Sequence, residues 1–356
     1  MTFAKTVFSL SILSSGFVMA DETLLQTTTA VAYDADLFNK DKRVFFASGE
    51  FLYWLANESA LQYAVKMNSQ PWSQTEAITA TGKYQNSDFH WAPGGRVSFG
   101  YFNAPHFWDV FAQYTYLSSS GHSTTDAPEE SGEYLVGTWP APKVNTETPA
   151  APLSHASSHI NLHYNVCDFL CSRRFIPNEH FRLNLFGGVT AALMHQHWSI
   201  HYTDTSGISS LVRNRWRFDG LGIRSGMKLD WYMGSPDLYL TGSASGALLS
   251  GWYKNVAKQK SSLGIAAVDP STPVGHTVYE DHRLVATTQI FFGPSWQKRF
   301  TSVRTELVAG YEFTVWNNLQ EVYRSNTSVA TDSKTPWINT SLLTLQGLTV
   351  RFTLDF

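Results

Sequence analysis

The sequence predicts an all-β chain: a transmembrane, antiparallel, up-and-down β-barrel of ten strands, with short periplasmic turns and long extracellular loops. Three observations predict it. In Leu348-Thr349-Val350-Arg351-Phe352-Thr353-Leu354-Asp355-Phe356 every even position is apolar and polar residues fall between. A strand with hydrocarbon on one face and water on the other reads this way. Long alternating stretches recur along the chain, joined in turn by tight and by extended connections. The chain also begins with a secretory leader.

That leader is read as residues 1–20. It carries one positive charge (Lys5), an apolar run from Val7 to Val18 and a small-residue end at Ala20, which is the layout of a signal peptide. A membrane anchor is the alternative, but the run is short for a span. Segment 21–42 is polar and Thr-rich and is assigned to the periplasmic side. The barrel is placed at 43–356.

Composition agrees. Charged residues make up 15% and aromatic residues 14%, against roughly 25% charged in an ordinary soluble domain. A mean hydropathy of -0.19 does not argue against a membrane protein, because a barrel alternates its lipid face with polar residues. A net charge of -3 gives no electrostatic support to a nucleic-acid partner.

Alternation places strands at 43–56, 91–103, 106–118, 156–171, 180–200, 214–233, 237–254, 281–297, 302–317 and 342–356. Turns are read near 103–105, 173–179, 234–236 and 298–301. Long polar connections are read near 57–90, 119–155, 202–213, 255–280 and 318–340. If 59–68 and part of 76–90 form a hairpin in the wall, the count becomes twelve. Pro294 is the one proline inside a proposed strand, where a bulge or strand end is expected. The acidic 119–155 stretch, with Asp126, Glu129, Glu130 and Glu133, is read as a solvated surface loop rather than an inward constriction.

Parity then assigns the faces. Leu348, Val350, Phe352, Leu354 and Phe356 oppose Thr349, Arg351, Thr353 and Asp355. Leu307, Tyr311 and Phe313 oppose Arg304, Glu306 and Glu312. Leu221, Ile223, Met227 and Trp231 oppose Arg224, Lys228 and Asp230. Ile160, Leu162, Tyr164 and Val166 are taken as a lipid face opposing His159, Asn161, His163 and Asn165. A midplane Arg or Lys on lipid costs about 2–4 kcal/mol, so the charged parity is assigned to the lumen. The candidate pore-lining residues are Arg96, Asp109, Arg182, Arg224, Lys228, Asp230, Arg283, Arg304, Glu306, Glu312 and Arg351. Paired charges filling a narrow barrel are the competing reading.

Tyr53, Trp108, Trp231, Trp252, Trp296 and Phe356 lie toward strand ends and suit interfacial girdles; Trp54 and Trp198 are read the same way. Cys167 and Cys171 are the only cysteines. On one strand they share a face about 13 Å apart, too far for a mutual disulfide. Two free thiols and an intermolecular bridge both remain open. No G-x-S-x-G elbow is present. His195 and His197 share a face without a neighbouring carboxylate, so neither a catalytic residue nor a metal site is assigned, and no cofactor.

The stretch Trp91-Ala92-Pro93-Gly94-Gly95-Arg96-Val97-Ser98-Phe99-Gly100-Tyr101, with Trp108-Asp109-Val110 and Tyr114-Thr115-Tyr116, resembles the Legionella-type major outer membrane protein family, which includes members in chlamydia-like bacteria. His163 to Phe169, Phe218 to Arg224 and Leu345 to Val350 are similar to its later strands. The resemblance covers roughly 45 to 356. It implies a pore-forming barrel in the bacterial outer membrane: a porin passing ions and small hydrophilic solutes, and no enzyme. Implied partners are outer-membrane lipid, the solutes, the barrel-assembly machinery through the C-terminal strand, and no nucleic acid; a homo-oligomer is left open. The rivals are a structural or adhesive barrel with a plugged lumen, and an outer-membrane hydrolase.

Overall fold

The computed structural model describes residues 43–68, 82–103, 106–130, 132–139, 153–178, 180–205, 207, 209–233, 237–261, 275–300, 303–325 and 336–356. The leader (1–20) and the segment 21–42 lie outside them. The strands are β1 (Arg43–Glu58), β2 (Gln62–Met67), β3 (Gly82–Asn86), β4 (Ala92–Asn103), β5 (Trp108–Asp126), β6 (Tyr134–Gly137), β7 (Leu153–Asn178), β8 (Phe181–Asp204), β9 (Ser209–Tyr232), β10 (Leu238–Ser261), β11 (Gly275–Arg299), β12 (Arg304–Ser325) and β13 (Pro336–Asp355).

Every pairing is antiparallel. The long strands pair in the order β1, β4, β5, β7, β8, β9, β10, β11, β12, β13, and β13 pairs back onto β1. Among the described residues this is a ring of ten strands. The closing seam matches Ser48 with Thr353 and Glu58 with Leu343. Phe45 and Phe356 extend it by exchanging both backbone hydrogen bonds at 2.9 Å. Closure leaves the ten-strand ring, among the described residues, without an unpaired edge, which lipid would not tolerate.

The hairpin foreseen near 59–90 exists but does not widen the ring. β2 pairs with β3 and with β6, and β6 meets β7 at Leu135↔Leu153. These short strands form a flap at the end of the barrel away from the tight turns. The acidic connection is corrected in part. Glu129 and Glu130 are exposed, but Leu135 and Trp139 turn inward and are buried. Apolar side chains two and six residues beyond Glu133 take the chain back to the core.

Several strands run well past the predicted ends. The 202–213 connection, read as a long loop, is mostly ladder: β8 continues to Asp204 and β9 begins at Ser209. Its polar residues are one face of a strand whose other face is apolar. Pro294 makes no bulge. The β11–β12 ladder skips Gly293 and Pro294 and resumes in the same register, Phe292↔Tyr311 and then Ser295↔Val308. Proline lacks the N–H that this rung needs.

The governing feature is a phase inversion along the strands. Near the turn end, apolar side chains face out and polar ones face in. On β9, Leu221, Ile223, Met227, Leu229 and Trp231 are exposed while Arg224 and Asp230 are buried. Further along the same strand the order reverses: Arg213, Arg215 and Arg217 face out, while Val212, Trp216 and Phe218 are buried. On β8 Leu185, Val189 and Leu193 face out below. Above them His195, His197 and His201 face out over buried Met194, Trp198 and Ile200.

This overturns the face assigned to 156–171. Ile160, Leu162, Tyr164 and Val166 point into the barrel and are buried, and His159, Asn161, His163 and Asn165 point out. Inward Asp168 and outward Phe169 on the same strand follow the expected phase.

The inversion marks the edge of the apolar belt. Leu221 to Trp231 is roughly 34 Å of strand at ~3.4 Å per residue. At a tilt near 45° that spans about 24 Å of depth, close to the ~25 Å apolar band of outer-membrane barrels. Two aromatic rims bound it. Trp108, Trp231, Trp296 and Phe356 lie at the turn end. Tyr53, stacked on Trp91 at 5.4 Å, and Trp252 lie at the other. All six girdle candidates lie on the outside. Trp54 and Trp198 do not: they share the inward phase and are buried.

Candidate functional site

The lumen consists of two layers. The layer near the turn end is polar. It encloses a cavity of about 240 Å³ reaching from Val44, Phe102, Arg174 and Asp355 up to Arg96, Asp168 and Gln289. Alternation positions its wall, since each strand contributes every second residue to the inside.

Two ion networks cross this layer. In the upper one Arg96 donates to Glu50 at 2.7 Å, to both oxygens of Glu312 at 2.7 and 3.1 Å, and to Thr115 at 2.9 Å. Thr349 and Gln289 also donate to Glu312. Trp54 Nε1 donates to Thr349 at 3.1 Å, and the Arg96 guanidinium lies over the Trp54 ring at 5.5 Å. Arg224 bridges Asp168 at 3.0 Å and Gln289 at 2.6 Å. Arg351 stands 3.6 Å from Glu50.

In the lower network Arg182 pairs with Asp230 at 2.6 Å. Lys228 lies 3.7 Å from both Asp230 and Glu306. Arg304 contacts Glu306 and Asp355. Ser172 donates to Asp109 at 2.6 Å, and Thr241 donates to Asp230 at 2.7 Å.

Ten of the eleven sequence-predicted lining residues therefore meet in this layer: Arg96, Asp109, Arg182, Arg224, Lys228, Asp230, Arg304, Glu306, Glu312 and Arg351. Arg283 does not join them. It sits in the other layer, bonded to Asp281 at 2.8 Å and Glu321 at 3.2 Å, with its guanidinium 3.8 Å from the Tyr253 ring centre. Sequence reasoning missed Glu50, Asp168 and Arg174, the last because 173–179 was read as a turn. Glu50 follows Ser48 on the inward parity of β1 between exposed Phe45 and Phe51, so parity was the signal for it. Asp168 was obscured by the reversed phase of β7.

Counted over both networks, seven cations (Arg96, Arg174, Arg182, Arg224, Lys228, Arg304, Arg351) face seven carboxylates (Glu50, Asp109, Asp168, Asp230, Glu306, Glu312, Asp355). Their formal charges cancel. Removing charge from water without a partner costs several kcal/mol, and each of these seven carboxylates is met by a cation or a hydroxyl.

The other layer is mostly apolar, with Gln196, Asn214, Asn255, Gln320 and Arg283 buried among its side chains. Trp54, Trp198, Trp316, Tyr63, Phe218, Leu61, Leu117 and Ile160 are almost completely shielded. The flap contributes Tyr63, Ala64 and Leu135. Tyr202 donates to the Tyr63 carbonyl at 2.5 Å, and Trp198 Nε1 donates to Ser158 at 2.8 Å and Ser87 at 3.0 Å. This is the core of an ordinary soluble barrel placed end to end with the polar layer.

No cluster of His, Cys, Asp and Glu suited to a metal occurs among the described residues. His195 and His197 lie on the outer wall, where His195 stacks on His163 at 4.6 Å. Cys167 and Cys171 face outward in the apolar belt and are unbonded.

Comparison with known proteins gives a family match. The model of the family described as the Legionella pneumophila major outer membrane protein precursor matches residues 40–356. No curated protein matches the chain. Among solved structures, the outer membrane protease OmpT from Escherichia coli superposes with a TM-score of 0.38 at 9% identity, covering 90% of this chain and 99% of that one. The monoaromatic hydrocarbon channel CymD gives 0.28 at 8% identity, covering 92% and 93%. A Pseudomonas aeruginosa FadL homologue gives 0.20 at 9%, covering 89% and 90%. These TM-scores are too low to carry an argument about function.

Proposed function

This chain belongs to the family of the Legionella major outer membrane protein and resides in the bacterial outer membrane, and from that premise we propose that it is a narrow porin-like channel for ions and small hydrophilic solutes. The tight turns face the periplasm and the extended strand pairs face outward. The observation that carries the reading is the charged cavity of about 240 Å³, roomy enough for several waters, at the turn end of the lumen. A ring of ten strands leaves room for little more than side chains and a thin passage. Its wall carries seven cations against five carboxylates, with Asp230 and Glu312 paired to Arg182 and Arg96 just behind it, so the passage favours anions weakly. The apolar layer sets the resistance, because it closes the passage until its side chains part.

Planar-bilayer recording of the refolded barrel tests this. The expected result is small, brief steps that become larger and steadier when the β2–β3 hairpin is replaced by a short linker. Neutralising Arg304 and Arg351 to glutamine should shift the reversal potential toward cation preference. Unchanged selectivity would reject their assignment to the lining.

A second reading, a structural or adhesive barrel with a sealed lumen, is favoured by the filled apolar layer alone. It expects electrical silence from both the complete and the hairpin-shortened protein. Neither reading includes a catalytic step. Outer-membrane lipid contacts the apolar belt in both, and the C-terminal strand is the segment offered to the barrel-assembly machinery. A second copy packed against β7 would bring outward cysteines together, and a dimer band lost on reduction would reveal it.

A further inference from the structure

The outer wall carries a cationic band whose charges the barrel balances only in part. On β9, Arg213, Arg215 and Arg217 project outward at alternate positions, directly beyond Leu221 where the apolar belt ends. Across the ladder, Lys254 stands opposite Arg217 and Lys258 opposite Arg213. On the other side His195 stands opposite Arg217 and His197 opposite Arg215. Like charges at such cross-strand distances destabilise a sheet. Arg217 is answered by Asp219 at 2.6 Å and Lys254 by Glu280 at 2.5 Å. Among the described residues no carboxylate pairs with Arg213, Arg215 or Lys258. The band borders a shallow groove on the outer wall whose sides include His197, Arg215 and Lys254.

A repulsive cluster at the height of the headgroups points to an anionic ligand in the leaflet itself. We propose that this face of β8–β10 binds the phosphates of a phosphorylated glycolipid of the outer leaflet, of the lipopolysaccharide kind. Guanidinium groups hold phosphate oxygens in a two-pronged geometry. The uncompensated cations spread about 7 Å along β9 and about 5 Å across to Lys258 on β10, with His197 about 5 Å away on the β8 side; this exceeds one phosphate and suits a headgroup bearing two. The acyl chains then lie on Leu221, Ile223, Leu248 and Trp252, which are exposed just below. This rests on the orientation proposed above, with the turn end in the periplasm.

The test uses the full refolded barrel in neutral detergent, titrated with lipopolysaccharide, with its enzymatically dephosphorylated form, with phosphatidylglycerol and with inorganic phosphate. Each basic residue near an anionic headgroup is worth roughly fivefold in affinity. The triple variant Arg213→Gln, Arg215→Gln, Lys258→Gln should therefore bind lipopolysaccharide about 100-fold more weakly. The charge-keeping variant Arg213→Lys, Arg215→Lys should recover most of that loss. Dephosphorylation should weaken binding to a similar degree. Equal binding by wild type and triple variant, or no effect of dephosphorylation, overturns the proposal. Phosphatidylglycerol or free phosphate binding as tightly as lipopolysaccharide overturns the glycolipid assignment. Bilayer conductance of the triple variant should match wild type, so a failed channel reading and a failed lipid site give different results.

Discussion

Replacing Arg96 with methionine removes the cation that joins two carboxylates inside the barrel. Arg96 makes contacts of 2.7 Å to Glu50, 2.7 and 3.1 Å to Glu312 and 2.9 Å to Thr115. The side chains of Arg96, Glu50 and Glu312 are 8, 4 and 1% exposed. Methionine fills much of the same volume, so the loss is electrostatic rather than a cavity. Glu50 retains Arg351 at 3.6 Å. Glu312 retains only neutral donors, Gln289 and Thr349. Removing one partner of a buried pair costs about 3–5 kcal/mol. The second variant, Arg96→Met with Glu312→Gln, removes the orphaned charge as well. It should recover about 1–3 kcal/mol, the range of coupling between contacting residues. The assay is reversible urea unfolding of the barrel in lipid vesicles, followed by tryptophan emission and by the folded-band shift on unheated gels. A single-variant loss under about 1 kcal/mol, or a double variant less stable than the single, refutes the reasoning that Arg96 ties the network together.

Other outcomes follow from the same frame. Trp198→Ala removes a buried ring and its bonds to Ser87 and Ser158; it should cost about 3–5 kcal/mol in the same unfolding assay and lengthen channel openings in bilayers. Met227, exposed midway along the apolar stretch of β9, should cost about 2–4 kcal/mol when changed to lysine. Arg215→Leu, outside the belt, should change stability by under about 1 kcal/mol, and equal costs at the two positions would contradict the placement of the belt. Arg283→Met should leave ion selectivity unchanged, because Arg283 lies in the apolar layer with Asp281 and Glu321 rather than on the cavity wall; altered reversal potential would return it to the lining.

How far the sequence could be read follows from the two layers. In β9, β12 and β13 the belt portion has one clear phase, and Arg224, Arg304, Glu306 and Arg351 were placed on the correct face from alternation. Alternation with period 2 reports which residues share a face, but not which face is inside. Where hydrocarbon lies outside, the apolar face is outward; where water lies outside, it is inward. Ile160 to Val166 lies beyond the belt, so the same pattern carries the opposite meaning there. Trp54 and Trp198 were misplaced for this reason. Their distance from the strand ends suited a girdle, yet their parity matched Glu50 and Gln196, both buried inside. The flap was legible as a hairpin, but its pairing with β6 was not, because four residues at 134–137 carry too little pattern to specify a partner.

The phase inversion itself is open to direct measurement by single cysteines along β9, in a background with Cys167 and Cys171 changed to serine. With the barrel in vesicles, labels at Ile223 and Met227 should be reached only by a lipid-dissolved quencher. Labels at Arg213, Arg215 and Arg217 should be reached only by an aqueous one, and cysteines at Trp216 and Phe218 should resist labelling until the barrel unfolds. Lipid access that continues unchanged from 227 through 213, or ready aqueous labelling at 216 and 218, would contradict a wall that is greasy outside over one half and greasy inside over the other.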